Sequence, residues 1–317
     1  VTVAASVVIP ARNEAARLPL VLEAVRRAAA RVEGGVEVIV SDHGSRDETA
    51  SVARLHGARV IDARRAHTIA AVRNRAAWSA RGRILAFLDA DCVPDEGWLE
   101  AAIALFADEP RAGAAGLAPE VANDAGWIAR ASALVASPRP PERREEARWL
   151  PSANLIVRRS TFEHVGGFDE ALVTCEDYDL TVRIRARGEE LLRDPALRTT
   201  HLREPTTLRA LFRKERWRGI ASLEGARRHG LVLGELPSLI LPLAHLAVVL
   251  VLVLVLVLGR FALVPPLVLL LLTPSLLLAA RTAWRARRPD SLPGLAAFFL
   301  VYCAARTAAL KPEARTA

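Results

Sequence analysis

Two aspartates one residue apart, Asp89 and Asp91, follow the apolar run Arg83-Ile-Leu-Ala-Phe-Leu88. Magnesium and manganese take oxygen ligands and are held by one or two carboxylates together with substrate phosphates. Strand alternation alone would turn both side chains to one face only if the strand continued, so a turn after Leu88 must help. A second acidic pair, Glu176 and Asp177, stands in Cys175-Glu-Asp-Tyr-Asp-Leu180. Neighbouring carboxylates repel; burial raises a carboxyl pKa and a nearby cation lowers it. Such a pair can accept a proton, or it can favour the start of a helix, here expected over Tyr178 to Arg187. Arg12-Asn13-Glu14 and Asp42-His43-Gly44-Ser45 are two further polar clusters. Asp42 with Gly44 also fits an Asx-turn ahead of a helix.

The elements that must position these residues are legible as runs. Ser6 to Pro10 is a short apolar stretch ended by Pro and a polar turn, which fits a buried strand, and Val36 to Val40, Ala58 to Ile61 and Arg83 to Leu88 are expected to be three further strands. Between them Arg17 to Val32, Asp47 to His56 and Thr68 to Ala80 are expected to be helical. Strand alternating with helix implies right-handed crossovers and a mostly parallel sheet. Ligands of such sheets bind at the carboxyl ends of the strands. Each polar cluster follows a strand directly, so three strand ends carry carboxylates, the pattern of a site built around a metal and a sugar nucleotide. The charged, Pro-rich stretch Ser137 to Glu146 is expected to be a solvated loop or a flap over an acceptor.

Composition narrows the class. The 317 residues carry a net charge of +8; 52% are hydrophobic and 25% charged, with a mean hydropathy of +0.21. Charged and apolar residues are mixed up to about Arg228, and long apolar runs begin at Leu236. That segregation excludes both a disordered chain and a purely soluble one. The positive charge has no zinc-finger spacing, aromatic-interleaved basic stripe or RNA-binding signature with it, so no nucleic-acid partner is expected. Much of it lies beside the apolar runs, where a membrane surface accounts for it. Cys92, Cys175 and Cys303 are too scattered for a disulfide framework or a metal cluster, and a reducing compartment is expected. The opening apolar stretch, Ala4 to Ile9, is too short for a secretory signal. GxGxxG, Walker A and GxSxG patterns are absent from the sequence, against a dehydrogenase, a P-loop NTPase and a serine hydrolase.

From Ser6 to Gly219 the ordered motifs resemble those of family 2 glycosyltransferases with the GT-A fold. Val7-Val-Ile-Pro-Ala-Arg-Asn-Glu14 is similar to the family's first strand and nucleotide-binding turn. Asp42-His-Gly-Ser-Arg-Asp-Glu-Thr49 resembles its D-[DN]-G-S-x-D-x-T element, with His43 where an acid or amide is usual. Phe87-Leu-Asp-Ala-Asp91 resembles the D-x-D element. Asn154 through Gly167-Phe-Asp169 and on to Leu180 resembles the acceptor-side segment that ends in the E-D motif. The resemblance implies that Pro10, Arg12, Glu14, Asp42, Arg73 and Asp89 face the nucleotide sugar. It implies Asp91, with Asp89 and His201, as ligands of a divalent metal (Mg2+ or Mn2+). It implies Asp177 as general base, with Glu176 beside it. His201 would serve a structural role equally well. Arg213-Lys-Glu-Arg-Trp217 is similar to the Q-x-x-R-W element of membrane-bound members, with Arg213 replacing Gln. Arg216 and Trp217 become acceptor-side candidates, though an amphipathic juxtamembrane helix explains the same residues.

Leu236 to Leu258 and Phe261 to Ala280 are apolar runs of 23 and 20 residues, and His245 is the one ionisable group in the first. At roughly 1.5 Å per helical residue each crosses a hydrocarbon core of about 30 Å. Leu295 to Leu310 is shorter and carries Arg306, so it fits a third span or an interfacial helix. Arg227 and Arg228 precede the first run; Arg281, Arg285, Arg287 and Arg288 follow the second. The positive-inside rule puts both flanks in the cytoplasm and the Gly259-Arg260 turn outside.

The expected architecture is an α/β GT-A domain with a mostly parallel sheet over residues 1–230, then a membrane region over 236–311 with two to three transmembrane helices. The implied activity is transfer from a nucleotide-diphosphate sugar to a lipid, polyprenyl-phosphate or glycan acceptor at the cytoplasmic face of the cell membrane, with inversion. Two rivals are a nucleotidyltransferase on a related fold, which needs no E-D base, and an inactive membrane-anchored sugar-nucleotide binder. Intact D-x-D and E-D pairs argue against the second.

Overall fold

Parallel strands covered on both faces read as near-continuous apolar runs; the strands Ala5–Ala11 and Ile84–Leu88 are buried throughout, whereas Val36–Asp42 is only partly buried and Arg59–Asp62 is exposed at both ends. A computed structural model describes residues 3–122, 124–219 and 236–310. In chain order the strands are β1 Ala5–Ala11, β2 Val36–Asp42, β3 Arg59–Asp62, β4 Ile84–Leu88, β5 Cys92–Pro94, β6 Ala112–Gly116, β7 Glu120–Val121, β8 Glu145–Glu146, β9 Asn154–Arg158, β10 Glu190–Arg193 and β11 Thr199–His201. The α-helices are α1 Leu18–Ala29, α2 Thr49–Leu55, α3 Ile69–Ser79, α4 Trp98–Asp108, α5 Trp127–Ala136, α6 Arg159–His164, α7 Glu176–Ala186, α8 Leu208–Gly219, α9 Leu236–Val257, α10 Val264–Ala286 and α11 Leu292–Ala308. They group into two units, Val1–Asn123 with Pro140–Arg203, and Asp124–Arg139 with Glu204–Ala317.

The first unit is the expected GT-A-like α/β domain. Its main sheet has the order β3-β2-β1-β4-β9-β6-β10-β8, and a small sheet has the order β5-β11-β7. Four pairings in the main sheet are parallel and three antiparallel, two of the latter because β9 opposes both its neighbours. Strand alternation sorts the core into two layers. Val7 and Ile9 pack with Leu18, Val21, Leu22 and Val25 of α1 and Trp98 and Leu99 of α4. Val8 and Phe87 face the other way, onto Ala70 and Ala76 of α3, Phe162 of α6 and Leu180 and Ile184 of α7.

Most boundaries differ from expectation by one to three residues, and two of these shifts bear on the site. β1 continues through Pro10 to Ala11. The β4 ladder ends at Val8–Phe87, so on that side no partner needs the N–H that proline lacks, while β2 stays in register to Asp42. Helix α7 starts at Glu176, two residues early, behind Cys175 in the left-handed region (φ 64). Glu176 and Asp177 are therefore its first-turn residues. Part of the charged, Pro-rich stretch is ordered as β8, paired with β10.

In the second unit Ile128 and Ala131 of α5, Leu211 of α8, Ala279 and Ala283 of α10, and Leu295, Phe298 and Phe299 of α11 form one apolar cluster. Among the described residues, three helices are long and apolar enough to cross a membrane: Ile240–Val257, Phe261–Ala286 and Pro289–Ala308. The charge that weakened the third run in sequence is neutralised by a partner. Arg306 meets Glu215 of α8 at 3.1 Å, and its guanidinium lies 4.8 Å from the Tyr302 ring centroid. Pairing of this kind is how ionisable groups persist in apolar helices. Arg227 and Arg228 lie outside the described residues.

Candidate active site

β1 and β2 end side by side, so the turns that follow them meet. Asn13 adopts the left-handed conformation (φ 57), which asparagine tolerates better than most residues. Its Oδ1 accepts the Arg46 N–H at 2.8 Å, and its own N–H donates to Ser45 Oγ at 3.0 Å. Asp42 Oδ1 accepts from both the N–H and the hydroxyl of Ser45, the Asx-type turn foreseen from Asp42 and Gly44. Gly44 has φ 68, and a Cβ there would stand 3.3 Å from Arg64 Cβ, so the turn needs glycine. The turns border a cavity of ≈ 360 Å³ lined by Arg12, Asp42, His43, Gly44, Ser45 and Arg64. His43 contacts the Ala66 carbonyl through Nε2 at 2.8 Å. Glu14 is turned elsewhere, onto Arg17 at 3.2 Å and Arg203 at 3.0 Å. Pro10 is buried in β1.

A second centre lies where β4 ends. Arg73 of α3 is buried, and its two terminal nitrogens reach different carboxylates. One donates to Asp89 Oδ1 at 2.8 Å and the other to Glu176 Oε1 at 2.6 Å. Its Nε has no partner among the described residues. Burial opposes the Arg73 charge, but Asp89 and Glu176 outweigh it and raise the guanidinium pKa. Burial also raises the Glu176 pKa; Arg73 counters and Asp177 adds to the rise. The adjacent Asn74 clamps the loop ahead of α7: Nδ2 donates to the Phe168 carbonyl at 2.8 Å and to Glu170 Oε1 at 2.9 Å, and Oδ1 accepts the Phe168 N–H. A Cβ on Gly167 would come 2.8 Å from Asn74 Oδ1. The Gly166-Gly167-Phe168 run thus lets α3 hold the segment leading to α7.

Asp177 is half-buried. Its Oδ2 accepts the Ser152 N–H at 3.1 Å, and its Oδ1 accepts the Tyr178 N–H at 2.8 Å. Glu176 also faces the Ser152 hydroxyl at 3.4 Å. Ser152, absent from the sequence reading, sits two residues before β9, so it lies beside the end of β4; its place after Pro151 at a strand start was the available signal. Two carboxylates adjacent in sequence thus have unlike surroundings, one in a buried ion pair and one half-exposed.

The third cluster is Asp91, Cys92 and His201, whose ligand atoms all lie within 4.8 Å of one another. His201 Nε2 is 3.4 Å from Asp91 Oδ1. Burial is the main influence raising the Asp91 pKa; His201 opposes it, and Asp89 and Glu14 reinforce it. An oxygen and a nitrogen donor converge there, and this donor set fits a divalent cation. Asp89 stands apart from this cluster, bound to Arg73. Cys92, read in sequence as one of three scattered thiols, belongs to it. Arg216 and Trp217 are on α8 in the second unit, where Trp217 is exposed.

An α/β sheet with three acidic strand ends places this domain in the GT-A class of folds. Residues 6–166 match the family model for Glycosyl transferase family 2, and the chain belongs to that family. Among curated relatives, the Pre-mycofactocin glycosyltransferase of Mycobacterium tuberculosis is 30% identical over 233 residues, covering 71% of this chain and 48% of the relative. Glycosyltransferase AglE of Haloferax volcanii is 29% identical over 192 residues, covering 59% and 62%. The chain thus spans about half the length of the first of these relatives. Among solved structures, mannosyltransferase PcManGT from Pyrobaculum calidifontis, in complex with GDP-Man and Mn2+, superposes with a TM-score of 0.62 at 19% identity, over 92% of this chain and 85% of that one. S. aureus TarS 1-349 in complex with UDP-GlcNAc gives 0.54 at 16%, over 69% and 66%.

Proposed function

We propose that this protein transfers a sugar from a nucleotide-diphosphate donor to a lipid, polyprenyl-phosphate or glycan acceptor at the cytoplasmic face of the cell membrane. The observation that carries the reading is that, in a family 2 domain, a polar cavity at Asp42 and the acidic residues Asp89 and Asp91 follow neighbouring strands of one sheet, with Arg73 tying Asp89 to Glu176. In this reading Arg12, Asp42, His43, Ser45 and Arg64 hold the nucleotide, with Pro10 shaping the strand end behind them. Asp91 and His201 would hold a divalent cation, Mg2+ or Mn2+, which supplies charge neutralisation for the departing diphosphate. Arg73 holds Asp89 and Glu176 in place. Asp177 takes the proton of the acceptor hydroxyl as that oxygen bonds to the anomeric carbon and the carbon–diphosphate bond breaks. Attack opposite the leaving group inverts the anomeric centre. Arg216 and Trp217 are proposed to contact acceptor or product.

Calorimetric titration of the purified full chain with UDP-, GDP- and dTDP-sugars tests the donor assignment. At least one should bind in the presence of Mn2+, and Asp42→Ala should weaken it; failure of every donor to bind would remove the reading. For orientation, a reporter inserted at Gly259 should behave as external and one after Arg288 as cytoplasmic. The reverse pattern would separate the domain from cytosolic nucleotide sugars.

A further inference from the structure

We propose that Cys92 gives the Asp91–His201 cluster a soft third ligand, so that the site takes a thiophilic divalent cation, zinc or cadmium, in competition with an oxygen-preferring one. The proposal rests on the reading of Asp91 and His201 as a cation site.

The small sheet positions the sulfur. In the antiparallel ladder of β5 with β11, Cys92 lies directly opposite His201, and residues so paired project to the same face. The Cys92 thiol is 4.0 Å from Asp91 Oδ1, and His201 Nε2 is 3.4 Å from the same oxygen. Zinc bonds of about 2.0 Å to N and O and about 2.3 Å to S place tetrahedral ligand atoms ~3.3–3.6 Å apart. The Asp–His edge already has that length; the sulfur, 4.0 Å from Asp91 Oδ1 and within 4.8 Å of the His201 nitrogen, must close on both to complete the triangle. A site of three protein ligands with the fourth position open is a familiar zinc arrangement. Magnesium and manganese favour oxygen and gain little from sulfur. On binding, the S–H bond is exchanged for an S–metal bond and the thiol proton leaves to solvent. Neither Cys175 nor Cys303 belongs to a carboxylate–histidine cluster among the described residues. The chain therefore carries a hard-metal site with a soft ligand built into its wall, which makes it open to capture by zinc.

Titration of the full-length, detergent-solubilised protein with cadmium, without sugar nucleotide, tests this. The parent should bind one equivalent and show thiolate-to-cadmium charge-transfer absorption in the ultraviolet. Cys92→Ser should lose the band and bind cadmium at least ~10-fold more weakly, with manganese affinity changed by less than about threefold. Cys175→Ser and Cys303→Ser should keep the band. A band that survives Cys92→Ser would overturn the proposal. Cadmium NMR of the parent does not depend on any variant folding: a shift showing a sulfur ligand is expected, and one showing only nitrogen and oxygen would overturn it. If the parent binds neither manganese nor cadmium, the cation site itself is wrong, a failure distinct from binding manganese without thiolate ligation.

Discussion

Arg73→Ala should cost about 3 to 5 kcal/mol of stability, the penalty for stranding a buried charge. The guanidinium spans two carboxylates at 2.8 and 2.6 Å, and its removal leaves Glu176 buried and facing Asp89 with no counter-charge. Asp89 is about a third exposed and recovers some solvation, so most of the loss arises at Glu176. Arg73→Lys should rescue little, because one ammonium cannot reproduce a planar fork aimed at two acceptors. The defect should depend on pH with a definite sign. A carboxyl whose folded-state pKa is raised binds its proton more tightly folded than unfolded, so its contribution is present at low pH and lost as pH rises through the folded value. Glu176 is already shifted upward by burial, with Arg73 opposing. Without Arg73 the variant should be weakest near neutrality and recover toward acid pH. Adding Glu176→Gln should restore part of the loss at pH 7. Denaturant midpoints across that pH range check the prediction, and a midpoint equal to the parent's at neutral pH would contradict it.

Asp177→Asn should lower kcat by at least ~10²-fold, within the range that a positioned proton acceptor contributes. The stability cost should be small. Asp177 accepts two backbone N–H bonds, from Ser152 and Tyr178. An asparagine keeps one acceptor oxygen, which limits the loss to about 1 kcal/mol. Donor affinity should stay near that of the parent, because Asp177 does not line the cavity at Asp42. The half-exposed environment distinguishes it from Glu176, which is held by Arg73, and from Asp179, which is buried against Arg183 at 2.6 Å. Neither neighbour is free to substitute for it. Transfer at the parental rate by a well-folded Asp177→Asn protein would confine the residue to organising the first turn of α7.

The strand ends could be read in the sequence because each was a short, mostly apolar run followed by a polar turn, the mark a strand in a covered sheet leaves. The first two helices able to span a membrane were legible from length and apolarity alone, whereas the third was left open by its shorter run and Arg306. What could not be read depended on partners distant in the chain. Arg73 meets Asp89 and Glu176 across 16 and 103 residues, and no local pattern shows a guanidinium tying D-x-D to E-D. Ser152 reaches Asp177 across 25 residues. Cys92 looked like a stray thiol because strands of three residues carry almost no periodic signal, yet their pairing puts it beside His201. Arg306 looked misplaced in an apolar run until Glu215, 91 residues earlier, supplied its charge partner.

The central claim, sugar transfer with release of a nucleoside diphosphate, is tested most directly by product analysis. The full chain would be incubated with its tightest-binding radiolabelled sugar nucleotide, Mn2+ and extracted membrane lipids, and both products counted. The account predicts equal amounts of nucleoside diphosphate and of sugar attached to acceptor, with both abolished by chelator or by Asp91→Ala in a folded protein. Release of free pyrophosphate in place of nucleoside diphosphate, or undiminished transfer in chelator, would contradict it.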